Sequence, residues 1–194
     1  MEMSHVISDL ILGLVGVFVF FRYLLKLELF ETIMWESFVL SVALAALLGA
    51  GKFAGIEQAG LLSSFFQNLA ATAGALGLAA AAWFKVQNES LDRNVGIIVL
   101  AVGFILFAVH QTIGLPNLVQ HIPVVSMILV IIAAFMAFLK GKVQLGLWLL
   151  AGVLFAALAT FRHLFIENEA NSIDVYHYLL ALSLLSFGVA SSKD

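Results

Sequence analysis

The chain contains no cysteine, which excludes disulfides, thiolate metal ligands and cysteine-held iron–sulfur clusters. Proline is nearly absent, with 2 among 194 residues, and charge is scarce: Asp, Glu, Lys and Arg together make 11% of the chain. Soluble domains carry about 25% charged residues, so an ordinary water-soluble domain is excluded. The 9 Lys and Arg are scattered rather than clustered, which removes nucleic acid as a partner. A net charge of −3 favours no partner of either sign. Gly-rich phosphate loops, a Gly-x-Ser-x-Gly elbow and a His-Glu-x-x-His motif are also missing. So are the spaced cationic rows of a voltage sensor and the internal repeats of many transporters. The last apolar run has no lysine in its body, which argues against a retinal Schiff base.

What is there is apolar. Hydrophobic residues make 63% of the chain and the mean hydropathy is +1.10. Apolar runs fall at 6–24, 33–51, 59–84, 95–114, 122–139, 143–161 and 173–191. Each is near the ~20 residues that cross a bilayer as a helix. The expected fold is therefore all-α: one polytopic integral membrane bundle of about seven transmembrane helices over residues 1–194. Charged or turn-forming segments separate the runs, from Leu27–Glu31 through the polar stretch 87–94 to Gly114–Asn117, Lys140–Lys142 and Glu167–Asn171. The boundary between the second and third runs, from Gly49 to Gly60, is weakly polar and the least sharply placed. The first run reads as a helix of the mature chain rather than a signal peptide. Residues 1–5 carry no Lys or Arg, and no small-residue cleavage motif precedes Arg22.

Basic residues orient the bundle. Arg22, Lys26, Lys85, Arg93, Lys140, Lys142 and Lys193 fall on one side, and only Lys52 and Arg162 on the other. The richer side is expected to be cytoplasmic. The N-terminus then lies outside, in a periplasm or lumen, with a bacterial inner membrane favoured. This topology puts all five histidines, His5, His110, His121, His163 and His177, at the outer helix ends. Each has a plain reading as an interfacial side chain with a wet tip.

Some of them have acidic company. His5 and Asp9 are four apart on the first helix, with Ser8 beside them, and share a face. Asp174 and His177 are three apart on the last helix. First and last helices of a seven-helix ring are often neighbours, which would gather His5, Asp9, Asp174 and His177 at one interface. Two carboxylates and two imidazoles suit a divalent metal, most simply zinc. The competing reading is that Asp–His pairs satisfy each other inside lipid and do nothing more.

Further polar residues leave alternatives open. His163 and Glu167 read as a solvated cap, and Arg162 beside them as a contact for an anionic headgroup. Ser64, Asn68 and Thr72, with Gln67 alongside, form a stripe on the third helix that either lines a cavity or glues helices together. The small residues that follow, Ala70 to Gly77, put that helix at the bundle centre. Glu36, after Trp35, either reaches the cytoplasmic interface or pairs with Arg22 or Lys26.

Ser8 and Asp9 opening the first helix and Asp174-Val175-Tyr176-His177 opening the last, within seven spans and an outer N-terminus, resemble the superfamily of alkaline ceramidases and progestin and adipoQ receptors. The resemblance implies hydrolysis of a lipid amide or ester by zinc-activated water. His5, Asp9, Asp174 and His177 would then be the ligands, Asp9 and Asp174 the catalytic carboxylates, and membrane lipids or lipophilic molecules the substrates. The chain departs from the pattern, since Ala181 stands four residues after His177 and no histidine lies on the second helix. Two other functions fit the residues: a b-type haem carrier ligated by His110 and His177, and a non-catalytic subunit packed against partner membrane subunits.

Overall fold

The computed structural model describes residues 3–88 and 92–193. Seven helices follow one another: α1 (Met3–Arg22), α2 (Leu29–Phe53), α3 (Glu57–Gln87), α4 (Arg93–Ile113), α5 (Pro116–Leu139), α6 (Val143–Thr160) and α7 (Glu169–Ser191). No strand occurs among the described residues, and each of the seven is long and apolar enough to cross a membrane. The helices contain the expected apolar runs with ends shifted by a few residues. Part of the polar stretch expected at 87–94 lies outside the described residues.

Local chemistry sets the ends. Asp92 caps α4, its side chain accepting from the backbone N–H of Asn94 at 2.7 Å, and Asn168 caps α7 by accepting from Asn171 at 3.0 Å. Gly114 ends α4 in the left-handed region at φ 70°. The soft boundary resolves at Ala54-Gly55-Ile56, where Gly55 takes φ 101° and separates α2 from α3.

Six of the helices close a ring in the order α1, α2, α3, α5, α6, α7, with α7 packing back on α1. α4 stands outside it, leaning chiefly on α3, and only Gly96 and Gly103 of that helix are buried. α3 can touch α2, α4 and α5 together because its middle is made of small residues. A Cβ on Gly74 would lie 2.8 Å from the Ser37 carbonyl oxygen, and one on Gly103 would lie 2.5 Å from the Ala73 Cα. Close backbone contact of this kind drives helix association where burial of apolar surface cannot.

The same stretch departs from α-geometry. Residues Ala70–Gly74 form a π-turn, and the Thr72 hydroxyl donates to the Asn68 carbonyl at 2.8 Å. Such a turn carries an extra residue and is frequent at functional sites.

The core holds Leu12, Val19, Met34, Leu78, Leu149 and Phe187 among others. Large apolar side chains are also exposed along the outward faces, including Leu14 (61%), Ile105 (61%) and Phe135 (58%). A surface of this extent suits lipid rather than water.

At the end of the bundle where α2 begins, Lys85 of α3 sits 3.6 Å from Glu31. Lys142 donates to the Lys85 carbonyl at 2.9 Å and to Asn88, and Lys140 donates to Gln87. Glu31 therefore takes the cation on α2 in this region, and Glu36 forms no ion pair with Arg22 or Lys26. Trp35 is fully buried, and its indole N–H finds no acceptor among the described residues.

Candidate functional site

Ring closure brings α1 and α7 together at the end where α1 begins, and all four residues expected to meet there do so. His5, one turn before Asp9 on α1, points Nδ1 at Asp174 Oδ1 of α7 at 2.7 Å. Its ring also packs on Phe53 at the end of α2, with centroids 5.0 Å apart. Ser8, fully buried between the two helices, donates to Asp174 Oδ1 at 2.8 Å and has its Oγ 3.0 Å from His177 Nδ1. The other nitrogen of His177, Nε2, lies 3.2 Å from Asp9 Oδ1. Asp9 fits because α2 presents Gly49 to it: a Cβ there would fall 2.6 Å from Asp9 Oδ2.

Five side chains thus form one chain of contacts, His5–Asp174–Ser8–His177–Asp9. Ser8 is the member that joins the two halves. It was signalled by the i, i+3, i+4 spacing of His5, Ser8 and Asp9, which puts all three on one helix face, and by the resemblance in which it stands beside Asp9.

Proton bookkeeping gives the network two arrangements. Where the Ser8 hydroxyl donates to Asp174, its oxygen accepts from His177 Nδ1–H, and the Nε2–Asp9 contact needs one further proton. Where Ser8 turns to donate to Nδ1, Nε2 carries the hydrogen toward Asp9, and the Ser8–Asp174 contact is the one that needs a further proton. The direction of one hydroxyl therefore goes with the tautomer of His177.

The network borders a cavity of about 840 Å³. Asp9, Tyr176 and His177 line it, as do Lys52, Ser64, Gln67 and Asn68, whereas His5, Ser8 and Asp174 stand behind the wall. Along α2 the lining runs from Phe53 to Phe38, about 22 Å at 1.5 Å per residue. Its deeper part is apolar, with Phe38, Val42, Met127 and Ile131. On α5, Val119 and Pro123 both face it, and a proline within a helix leaves the carbonyl four residues earlier without its usual N–H partner. α3 packs on α5 through its second half and the π-turn. Ser64 on α3 and Val124 on α5, both exposed, border the cavity nearer the site end.

The stripe on α3 divides. Ser64, Gln67 and Asn68 reach the cavity, Thr72 turns to its own helix, and Ser63 ties α3 to α2 through the Ala45 carbonyl at 2.8 Å.

No group of three or more His, Asp or Glu side chains is placed to hold a metal among the described residues. The reason is visible in the contacts. Both ring nitrogens of His177 and Nδ1 of His5 face Ser8 or a carboxylate, so in this arrangement the donors satisfy one another rather than converging on a point. His110, the expected partner of His177 for haem, has Nδ1 3.0 Å from the Leu115 carbonyl and does not line the cavity. His121 and His163 are exposed and outside the network.

The chain belongs to a family of unknown function, DUF6962. The match covers residues 4–193, and so contains every residue of the network and of the cavity wall. No curated protein and no solved structure matches the chain.

Proposed function

We propose that the chain is an integral membrane protein whose seven helices cross the bilayer, with its N-terminus outside, and that it hydrolyses an amide or ester of a lipid in the cavity. What supports the reading above all is the Asp9–His177 pair at the polar end of a deep, otherwise apolar cavity. Asp9 and His177 are the acid–base groups. In the base form the pair removes a proton from water as the water oxygen bonds to the carbonyl carbon. As the C–N or C–O bond then breaks, the same proton goes to the departing amine or alcohol.

Ser8, Asp174 and His5 are positioning residues that hold the ring of His177 and, through the direction of the Ser8 hydroxyl, select its tautomer, the role that a third group performs for a catalytic histidine elsewhere. Gln67 and Asn68 line the same space, and Gln67 Nε2 donates to Ser63 Oγ at 3.2 Å. Intramembrane ionisable residues are functional candidates by default, and the apolar depth selects a lipophilic substrate.

The test is hydrolysis of neutral lipid esters and amides by the detergent-purified chain, read by mass spectrometry beside elemental analysis and a visible spectrum of the same sample. Release of fatty acid that disappears in Asp9→Asn and His177→Ala supports the reading. One zinc per chain, lost with His177→Ala, would move the chemistry to a bound metal, and a Soret band would replace hydrolysis by haem-linked electron transfer. A colourless, metal-free and inactive protein would leave a partner-packing subunit.

Orientation has its own measurement. Because the chain lacks cysteine, one introduced thiol reports one position. A membrane-impermeant maleimide applied to intact cells is expected to label Asn117→Cys and to miss Ser192→Cys until the cells are opened. The reverse pattern would invert the topology.

A further inference from the structure

Of the nine Lys and Arg, seven lie at the end of the bundle away from the network, and the remaining two, Lys52 and Arg162, both lie beside the cavity. Lys52 lines it directly, three residues after the Gly49 that touches Asp9. Arg162 follows Thr160 and Phe161, which line it, and lays its guanidinium 4.5 Å over the ring of Tyr176, which also lines it.

Lys52 acts on the Asp9 carboxylate only at a distance. Asp9 and Asp174 are taken by His177 and His5, and no ion pair reaches Lys52 or Arg162 among the described residues. Arg162 spends Nη1 on the Ala159 carbonyl at 3.0 Å, while its buried Nε finds no acceptor. A guanidinium has five N–H donors in a planar fork suited to carboxylate or phosphate. Nη2 makes no hydrogen bond among the described residues and is not buried, so its N–H groups are the ones open to a ligand oxygen.

We infer that Lys52 and Arg162 receive the anionic headgroup, a phosphate or a carboxylate, of a lipid whose acyl chain lies in the apolar depth of the cavity. The inference rests on the cavity being the lipid site proposed above and adds the charge of its substrate. The headgroup then sits at the mouth, and the carbonyl next to it comes opposite Asp9 and His177.

Two probes with the same acyl ester but different headgroups isolate the effect: lysophosphatidic acid, and the monoacylglycerol that lacks its phosphate. Binding to the full chain in detergent is measured on the Asp9→Asn variant, so that turnover does not intervene, and is checked on the unsubstituted chain. Lysophosphatidic acid is expected to bind about a hundredfold more tightly. Lys52→Gln and Arg162→Gln are each expected to remove about tenfold of that preference while leaving monoacylglycerol binding in place.

Equal binding of the two lipids would overturn the inference and leave the lipid site standing. Binding of neither would overturn both. Competition by inorganic phosphate at concentrations matching the lipid would overturn the lipid assignment and give the two cations to free phosphate. Parallel loss of both lipids in Arg162→Gln, with Lys52→Gln unchanged, would reduce Arg162 to a prop for Tyr176 and equally overturn it.

Discussion

Asp9→Asn is expected to lower hydrolysis about 10²- to 10⁴-fold, the usual contribution of a positioned acid or base. The substitution keeps the size of the side chain that rests against Gly49 and removes its capacity to hold a proton for His177. Thermal unfolding in detergent should therefore move little while turnover collapses. His177→Ala should give a loss of similar size, and combining the two should cost little more, because residues acting as one unit are strongly non-additive. Measured single-turnover rates decide the matter. If Asp9→Asn retains most of the rate, the network is structural and the hydrolytic reading falls.

Gly74→Val is expected to have the largest effect on stability. The new side chain would meet the Ser37 carbonyl oxygen and the Phe38 Cα, at 2.8 and 3.0 Å from the first added carbon alone. Both are backbone atoms of α2 and cannot turn aside as a side-chain tip can. Overpacking of a tight contact costs about 1–3 kcal/mol, and this one also forces apart α2 and α3, two of the walls of the cavity. The apparent Tm in detergent should fall by several degrees. Gly55→Ala, in a loop with open space around its Cα, meets no neighbour and tests only the strain of a positive φ. An unchanged Tm for Gly74→Val would show that α2 and α3 separate without loss.

The number and order of helices could be read from run lengths alone, because each apolar run is about as long as a helix able to cross a bilayer. The meeting of His5, Asp9, Asp174 and His177 was also legible, since two short spacings and ring closure suffice to predict it. Three things were not. Ser8 sits at the centre of the network only because α7 supplies an acceptor on one side of it and an imidazole on the other, which no spacing within α1 reveals. The removal of α4 from the ring depends on α3 being slim enough to reach α5, a matter of contact rather than hydropathy. The enclosure of Trp35 is set by how the neighbouring helices pack on α2, which hydropathy along one helix does not show.

The π-turn in α3 has an effect on register. In a regular helix each residue advances the face by about 100°, so one extra residue in Ala70–Gly74 rotates everything before it relative to everything after it by about that angle. The portion from Ala75 onward keeps its small face on α2 and α5, while Ser64, Gln67 and Asn68 are swung to meet the cavity. The helix therefore behaves as two separately indexed cylinders on one axle. Both halves pack on α2, the first also held there by Ser63, so the offset lets one helix keep two differently phased seams on the same neighbour while still turning Gln67 and Asn68 to the cavity.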